Sequence, residues 1–286
     1  HHPDKRRCLA FLRLLSGRLD PLSPAFPGDD LLRRTPRIIR DNATLFEQYE
    51  ILEPGDIICC RLRLKPGEEH LLLDLSSRDI IGIPSFISQL CSRSKAFPTR
   101  LYSWAMIPGT TAIYTIHDLL NAVGTYGQTG VTKVVVKLEG KNGGLGVFLF
   151  SSIEDVYTQS ALGLIPYPYV VQPFVSDCRD FRVIVLGNYW EAYERSNPHN
   201  FRHNLHCGGT PAPAELTDKQ RKLCRRVMEQ GTFPYAHIDL MITDDGLTYF
   251  TEINLRGGLK GARIKSEEYQ QRIDDVSETL CINAMG

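Results

Sequence analysis

The sequence has no excess of charge of one sign: 33 lysines and arginines stand against 33 aspartates and glutamates in 286 residues. A balanced charge gives no general attraction to nucleic acid or to a membrane surface, so any charge-based function must be local. The sequence also contains no apolar run near the roughly 20 residues that span a bilayer. We therefore expect a cytoplasmic protein with neither nucleic acid nor membrane as a partner.

Closely spaced cysteine pairs of the C-x-x-C type are missing too. Eight cysteines are present, and the adjacent Cys59 and Cys60 have the character of strand residues. In a chain of this length the pattern predicts reduced thiols rather than a disulfide framework, and it disfavours zinc. Internal repeats and low-complexity segments are likewise absent, so we expect one large or two modest globular domains.

The N-terminal third differs in character from the rest of the chain. Basic and apolar residues followed by three prolines predict a helix and a linker over residues 1–36. Residues 37–92 predict a small α/β unit, with strands at 56–62 and 70–75 on either side of a Pro66-Gly67 turn.

Beyond residue 93, strand-like runs and turn residues predict three hairpins. The first joins a β-branched run at 133–138 to a strand at 147–150 through a glycine-rich tip. The second turns at Gly187-Asn188 and the third at Asp244-Asp245-Gly246. The other predicted elements are a strand at 169–175 and a basic amphipathic helix at 216–230.

The glycine-rich tip of the first hairpin is typical of a phosphate-binding loop. Its glycines leave backbone N–H groups free of side-chain obstruction, so the loop can close over phosphate oxygens. The loop leads into a strand rather than a helix, which excludes a Rossmann or P-loop motif. The glycines are Gly140, Gly143, Gly144 and Gly146.

Lys137 lies in an apolar strand three residues before this loop. A lysine among apolar side chains needs a partner, and a phosphate would supply one. The alternative is an edge-strand lysine on the solvated face of the sheet. The sequence alone leaves both interpretations open.

Three polar side chains on the last hairpin predict a metal site. Glu252 and Asn254 are two residues apart and share one face of the sheet, and the turn brings Asp239 opposite them. Three oxygen-bearing side chains on apolar strands are costly unless a cation lies between them, and such ligands suit Mg²⁺. The alternative is a solvated outer face whose acids form surface ion pairs.

Basic and polar residues fill the sequence between the glycine loop and these acids. Arg182 and Arg202 can each clamp anionic oxygens with two parallel hydrogen bonds. Arg202 belongs to a donor-rich loop that also contains Asn204 and His206. His206 is either a base or a structural histidine.

The order of these motifs resembles the ATP-grasp superfamily, and most closely its RimK-like branch of ribosomal-protein glutamate ligases and glutathione synthetase-like proteins. The resemblance covers residues 93–265. It is carried by the segments 135–146, 201–209, 252–254 and 258–261. It implies an α+β fold in which two α+β subdomains, 93–170 with the glycine loop and 171–286 with the metal site, clamp ATP. A short, reduced pre-grasp α/β segment precedes them.

The resemblance also implies a role for each motif residue. The residues that it assigns to the nucleotide are Lys95, Lys137, the four loop glycines, Gln172, Phe174, Val175 and Asp180. Those assigned to catalysis are Arg182, Arg202 and Asn204. Those assigned to Mg²⁺, with Mn²⁺ as the alternative ion, are Asp239, Glu252 and Asn254.

The segment after the metal ligands departs from the family pattern. Relatives commonly read Asn-x-x-Pro-Gly there, whereas this chain reads Asn254-Leu255-Arg256-Gly257-Gly258. Arg256 adds positive charge beside the metal, where it either recognises a substrate carboxylate or stands in for a missing cation. Arg256 and His206 are therefore the candidate substrate-binding residues.

The activity that the resemblance implies is that of an ATP-dependent carbon–nitrogen ligase. Such an enzyme joins a small-molecule or peptide carboxylate to an amine through an acyl-phosphate, with Mg-ATP. Two alternatives stay open: a kinase that phosphorylates a small-molecule hydroxyl, and a non-catalytic nucleotide-binding protein. A homodimer is compatible with the sequence.

Overall fold

The computed structural model describes residues 34–141, 143–202 and 205–285. Almost all of the helix and linker predicted over 1–36 therefore lies outside the described residues. Residues 36–286 form one compact unit, and its described strands belong to three sheets. In this part of the chain, no helix has the length and apolarity that a bilayer crossing requires.

The three sheets follow one another along the chain. The first is parallel and contains, in spatial order, β1 (Ile38–Ile39), β2 (Ile57–Ile58) and β3 (Ile81–Gly82). The second is antiparallel and contains β4 (Thr111–Ile113), β5 (Val134–Leu138), β6 (Val147–Phe150) and β7 (Tyr169–Pro173), in the order β4-β7-β5-β6. The third is antiparallel and contains β8 (Cys178–Leu186), β9 (Tyr189–Ser196), β10 (Thr210–Ala214), β11 (Tyr235–Thr243) and β12 (Thr248–Asn254), in the order β10-β9-β8-β11-β12.

Eight α-helices accompany these sheets within the described ranges. They are α1 (Asn42–Gln48), α2 (His70–Ser77), α3 (Phe86–Cys91), α4 (Ala96–Leu101), α5 (Ile116–Thr129), α6 (Ile153–Ala161), α7 (Asp218–Gln230) and α8 (Ser266–Met285). Helices α5 and α6 pack on each other, α7 packs on β11, and α8 packs on β8. Each sheet thus has its own hydrophobic core.

Helix α5 shows how the local sequence sets the ends of an element. At its start, the Thr115 hydroxyl accepts from the Asp118 N–H while the Asp118 carboxylate accepts from the Thr115 N–H. It ends at Gly130, whose φ of 69° is left-handed. Between these ends, Leu119 and Tyr126 are seven residues apart and lie fully buried in the core of the second sheet.

Strand β11 separates the largest core from the face that carries polar residues. Ile238 and Leu240 are buried in the core of the third sheet. Because side chains alternate along a strand, Asp239 and Met241 point to the other face, where both line a cavity. The apolar core thereby fixes the direction of the polar side chains.

The hairpins predicted at Gly187-Asn188 and at 244–246 are confirmed, and so is the basic helix, as α7. The strand predicted at 70–75 is wrong, because these residues begin helix α2. Its leucines are not branched at Cβ and favour helices, and Leu72 and Leu75 are buried three residues apart while Leu73 is 69% exposed. The strand predicted at 56–62 shortens to β2.

Glu191 on β9 anchors the chain that leads into α8. Its buried carboxylate accepts from the Tyr189 hydroxyl at 2.6 Å and from the backbone N–H groups of Arg263 and Ile264. Burial raises the pKa of Glu191, but these hydrogen bonds outweigh that effect and hold its pKa below the usual range. The charged form therefore contributes to stability.

We predict that Glu191→Gln lowers the free energy of unfolding by roughly 1–3 kcal/mol, because an amide replaces a charged acceptor of three hydrogen bonds. The difference in free energy of unfolding between wild type and variant should have its full size above about pH 4.3, the pKa of an unfolded glutamate. It should shrink as the pH falls below that value. Urea unfolding at several pH values measures both effects.

Glu194→Gln on the same strand is the matched control. Glu194 pairs with the exposed Arg179, so its substitution should cost less than about 1 kcal/mol. Equal losses for the two variants would contradict an anchoring role for Glu191.

Candidate functional site

A cavity of about 490 Å³ is lined by residues of the second and third sheets together with two side chains from the N-terminal third. The second sheet contributes Val135, Lys137 and Gln172, and the third contributes Asp239, Glu252 and Asn254. This volume falls in the range of small-molecule sites. Most of the motif residues therefore meet in one place although they are spread over more than 100 positions of the chain.

Lys137 lies on an internal strand, since β5 pairs with both β6 and β7. The interpretation as an edge-strand lysine is therefore wrong. Its amine has no hydrogen-bond or ion-pair partner among the described residues. Burial lowers the pKa of Lys137, the carboxylate of Glu252 opposes that shift, and the nearby amine of Lys95 adds to it. A bound anion would stabilise the charged form.

The four loop glycines divide into two pairs. Gly143 and Gly144 line the cavity and have φ values of 66° and 80°, a region that other residues rarely adopt. Gly140 and Gly146 do not line it. A Cβ at Gly146 would lie 2.4 Å from the Cβ of Lys141, so this glycine allows the hairpin to close.

Gln172, Phe174 and Val175, which the resemblance assigns to the nucleotide, all line the cavity. The last two lie just beyond the end of β7, and the segment 172–175 is called the hinge below. The Phe174 N–H donates to the carbonyl oxygen of Lys133 at 2.9 Å. The backbone N–H of Phe174 is therefore not free to donate to a bound nucleotide. Gln172 is almost fully buried, at 5% exposure.

The three candidate metal ligands lie on one wall. Asp239 is directly opposite Glu252 in the pairing of β11 with β12, and His237 is opposite Asn254. Within the described ranges, no group of three His, Cys, Asp or Glu side chains could hold a metal ion. A metal site here would combine the two carboxylates with other oxygen ligands, such as the amide oxygen of Asn254 or the phosphates of a nucleotide.

Asp239 is buried and already binds two arginines. The Arg182 guanidinium donates to both of its oxygens at 2.8 Å, and Arg195 lies 3.1 Å from one of them. Burial alone would raise the pKa of Asp239, but the two positive charges and their hydrogen bonds hold it well below its usual range. The interpretation as a surface ion pair is therefore wrong for this residue.

Arg195 is a cavity residue that the sequence analysis missed. It faces Asp180 across the hairpin of β8 and β9, and its Nε donates to the Asp180 carboxylate at 2.8 Å. Counting outward from the Gly187-Asn188 turn pairs these two residues, so the sequence contained the signal. Asp180 and Arg182 line the same cavity.

The donor-rich loop reaches the cavity through Arg202, whose Nε donates to the carbonyl oxygen of Val147 at 2.8 Å. Its guanidinium also lies 4.3 Å from the ring centre of Phe201. These contacts join the loop to strand β6 beside the glycine-rich tip. The prediction for Asn204 lies outside the described residues, and so does the one for the side chain of His206.

Lys95 does not line the main cavity. It lines a smaller adjoining one together with Lys137 and Glu252. Its amine donates to the carbonyl oxygen of Lys141 at 2.8 Å and lies 3.7 Å from a carboxylate oxygen of Glu252. Lys95 thereby links the glycine-rich hairpin to the wall that holds the candidate metal ligands.

The departure from the family pattern at Gly257 has a steric reason. A Cβ at this position would lie 2.5 Å from Nδ1 of His237, so a proline ring would collide with the imidazole. Burial lowers the pKa of His237 to about 3, and its Nε2 lies 2.9 Å from the Tyr269 hydroxyl. The ring is therefore neutral and occupies the space that a side chain at 257 would need.

One end of the cavity contains further cations that the sequence analysis did not connect. Arg61, Ser92 and Lys260 line it together with Arg256. Arg256 donates to the side-chain oxygen of Gln270 at 3.1 Å. Arg61 and Ser92 precede the segment covered by the sequence resemblance, so no motif could have identified them.

Comparison with known proteins agrees with the fold and the motif order. A family model described as the RimK-like ATP-grasp domain matches residues 107–274. The D-alanine–D-alanine ligase of Bacillus anthracis, solved in complex with ATP, superposes with a TM-score of 0.55 at 15% identity, over 85% of this chain and 84% of that one. The ATP-grasp fold expected from the sequence is thereby confirmed.

Two curated relatives match part of the chain. A glutathione synthetase of Agrobacterium fabrum is 34% identical over 128 residues, which are 40% of this chain and 37% of the relative. A probable alpha-L-glutamate ligase of Trichodesmium erythraeum is 30% identical over 151 residues, which are 51% of this chain and 48% of the relative. The chain thus spans less than half the length of these two relatives.

We predict that Asp239→Asn lowers the free energy of unfolding by about 3–5 kcal/mol, because Arg182 and Arg195 would be left buried without their shared carboxylate. Urea unfolding without added metal measures the loss. Glu252→Gln is the control: its nearest cation is 3.7 Å away and its side chain is 38% exposed, so it should cost less than about 1 kcal/mol. A similar small loss for Asp239→Asn would refute the structural role.

Proposed function

Because the chain belongs to the RimK-like ATP-grasp family, we propose that it is an ATP-dependent ligase that joins a carboxylate to an amine. The proposal rests on the side chains that the second and third sheets present to one cavity. Lys137 offers a cation without a hydrogen-bond or ion-pair partner among the described residues, and Glu252 and Asn254 offer oxygen ligands. A nucleoside triphosphate with its divalent cation requires both.

ATP would bind with its base at the hinge and its phosphates toward the loop. Val135 and Met241 add apolar surface beside Phe174 at the hinge, which suits the faces of an adenine ring. Lys137 and the backbone of Gly143 and Gly144 then reach the phosphates. The fold shared with a ligase solved in complex with ATP supports ATP as the nucleotide.

The donor set fits a hard divalent cation. Among the described residues, Glu252 forms an ion pair with Lys95 alone, at 3.7 Å, and the side-chain amide of Asn254 has no hydrogen bond to any of them. Asp239 keeps free lone pairs although it accepts from two arginines. Asp239, Glu252 and Asn254 would hold Mg²⁺, or Mn²⁺ as the alternative, and the bound ion would withdraw charge from the phosphates.

The residues around the candidate metal ligands would promote the reaction by holding the reactants in position and by neutralising charge. The γ-phosphoryl group passes to a carboxylate oxygen and leaves ADP and an acyl-phosphate; the amine then attacks the carbonyl, loses a proton and expels phosphate. Arg202, which lines the cavity beside the glycine-rich tip, would neutralise the oxygens that gain charge. Arg182 keeps Asp239 charged and in position.

The substrates that fit this proposal are a small-molecule or peptide carboxylate and an amine. The names of the relatives, glutathione synthetase and glutamate ligase, support amino acids or peptides as the class. We assign the two halves of the ATP clamp to residues 93–170 and 171–286. A screen of acids and amines with Mg-ATP should release phosphate only when both substrates are present, whereas a stable phosphorylated product would indicate a kinase.

We predict that Glu252→Ala and Asn254→Ala each lower metal-dependent ATP turnover by about 100-fold or more, because each loses a ligand of the ion that neutralises the phosphates. Phosphate release at saturating Mg²⁺ measures the loss. Asp244→Ala, on the exposed turn of the same hairpin, should turn over ATP like the wild type. Unchanged turnover in both site variants would contradict the assignment of Glu252 and Asn254 as metal ligands.

We also predict that Lys137→Met weakens ATP binding by about tenfold or more, because it removes a charged hydrogen-bond donor and keeps the length of the side chain. Titration calorimetry with a non-hydrolysable ATP analogue measures the affinity. Lys133→Met is the control, since Lys133 is exposed just before the same strand. Equal affinities for the two variants would remove Lys137 from the phosphate site.

A further inference from the structure

The cavity has a cationic end whose charges lack carboxylate partners. Arg61, Arg256 and Lys260 all line the cavity. Lys260 donates to a backbone carbonyl oxygen at 3.3 Å, and Arg256 donates to an amide oxygen. None of the three forms an ion pair with any carboxylate of the described residues. The cationic end, defined by these three residues, therefore carries uncompensated positive charge.

The middle of the cavity is organised differently. There, Arg182 and Arg195 share the carboxylate of Asp239, and Arg195 also binds Asp180. These arginines are neutralised by the protein itself. The residues of the cationic end have no such carboxylate, so they can bind an anionic ligand without breaking an ion pair.

Arg61 and Arg256 come from distant parts of the chain and line the same cavity. Burial lowers the pKa of Arg61, and the charge of Arg256 lowers it further. Burial also raises the pKa of Tyr235 and Tyr269 to about 12, and the charges of Arg256 and Arg61 oppose that rise at both tyrosines. Asn254 at the end of β12 pairs with His237, so Arg256 follows on the Tyr235 side of Asp239. An anion bound beside the two guanidinium groups would reduce their mutual repulsion.

The position of the cationic end follows from β11. Tyr235 precedes Asp239 by four residues, which is about 13 Å along a strand. Met241 follows Asp239 and pairs with Asp180 at the hinge end of the cavity. The cationic end and the hinge therefore lie on opposite sides of Asp239, and a substrate that reacts beside Asp239 can extend away from the nucleotide toward Arg61.

A hydroxyl group at the same end is positioned to donate. Ser92 lines the cavity, and its oxygen accepts a hydrogen bond from the Leu255 N–H at 2.9 Å. Its own hydrogen is then available for an acceptor in the cavity. The cationic end therefore offers both positive charge and a hydroxyl donor to an anionic group.

We propose that Arg61, Arg256 and Lys260 form a subsite for a second anionic group of the acid substrate. The inference rests on the proposed ligase function and narrows its substrate class. The acid is a dicarboxylate or an acid that carries a phosphate or phosphonate, and its second anionic group lies at the cationic end. Arg61, which belongs to neither ATP-binding sheet, selects for that group.

The direct test measures binding and needs no turnover. Titration calorimetry compares glutarate, 3-phosphonopropanoate and pentanoate, each with and without Mg²⁺ and a non-hydrolysable ATP analogue. Glutarate or the phosphonate should bind the wild type at least about tenfold more tightly than pentanoate, which has the length of glutarate but a single carboxylate. Which of the two binds better identifies the second group.

The matched variants are Arg61→Gln and Arg63→Gln. Arg63 is exposed two residues further along and does not line the cavity. Arg61→Gln should remove most of the preference for the diacid and leave pentanoate binding unchanged, whereas Arg63→Gln should bind all three probes like the wild type. Circular dichroism and thermal unfolding check that both variants fold.

Two outcomes would overturn the subsite. One is a wild type that binds pentanoate as tightly as both diacids, and the other is an equal effect of the two substitutions. Failure of the ligase proposal gives a different pattern: diacid binding stays sensitive to Arg61→Gln, but no combination of acid and amine releases phosphate from Mg-ATP.

Discussion

One carboxylate shared by two guanidinium groups holds together the three strands that line the middle of the cavity. Asp239 on β11 binds Arg182 on β8 and Arg195 on β9, so a single buried cluster of charge ties three neighbouring strands. Desolvated ions are costly, and this cluster persists because the hydrogen-bonding geometry is good on both sides. The direction of Asp180, Glu252 and the rest of the polar wall depends on the strands that the cluster aligns.

The same cluster explains why the other cations of the cavity stand apart. The protein's own acids satisfy the arginines at the centre, whereas Lys137 and the residues of the cationic end form no ion pair with any described carboxylate. Each of these sites is stabilised by an anion that arrives with a ligand. The cavity thus separates permanent ion pairs, which maintain its shape, from cations that are available for binding.

The sequence predicted what depends on neighbours along the chain. Turn residues at Gly187-Asn188 and at 244–246 located two hairpins, and two-residue spacing placed Glu252 and Asn254 on one face. It failed at residues 70–75, because a run of leucines suits a helix as well as a strand. Arg61 could not be found, because only folding brings the first sheet to the end of the cavity.

The family match begins at residue 107, yet Arg61 and Ser92 lie before it and line the same cavity. The cavity lining is therefore divided between two stretches of sequence: Arg61 and Ser92 lie before the family match, and Arg256, Lys260 and the candidate metal ligands lie within it. Such a division lets the two diverge at different rates. Substitutions at Arg61 or Ser92 would therefore change contacts at the cationic end and leave Lys137, Glu252 and Asn254 in place.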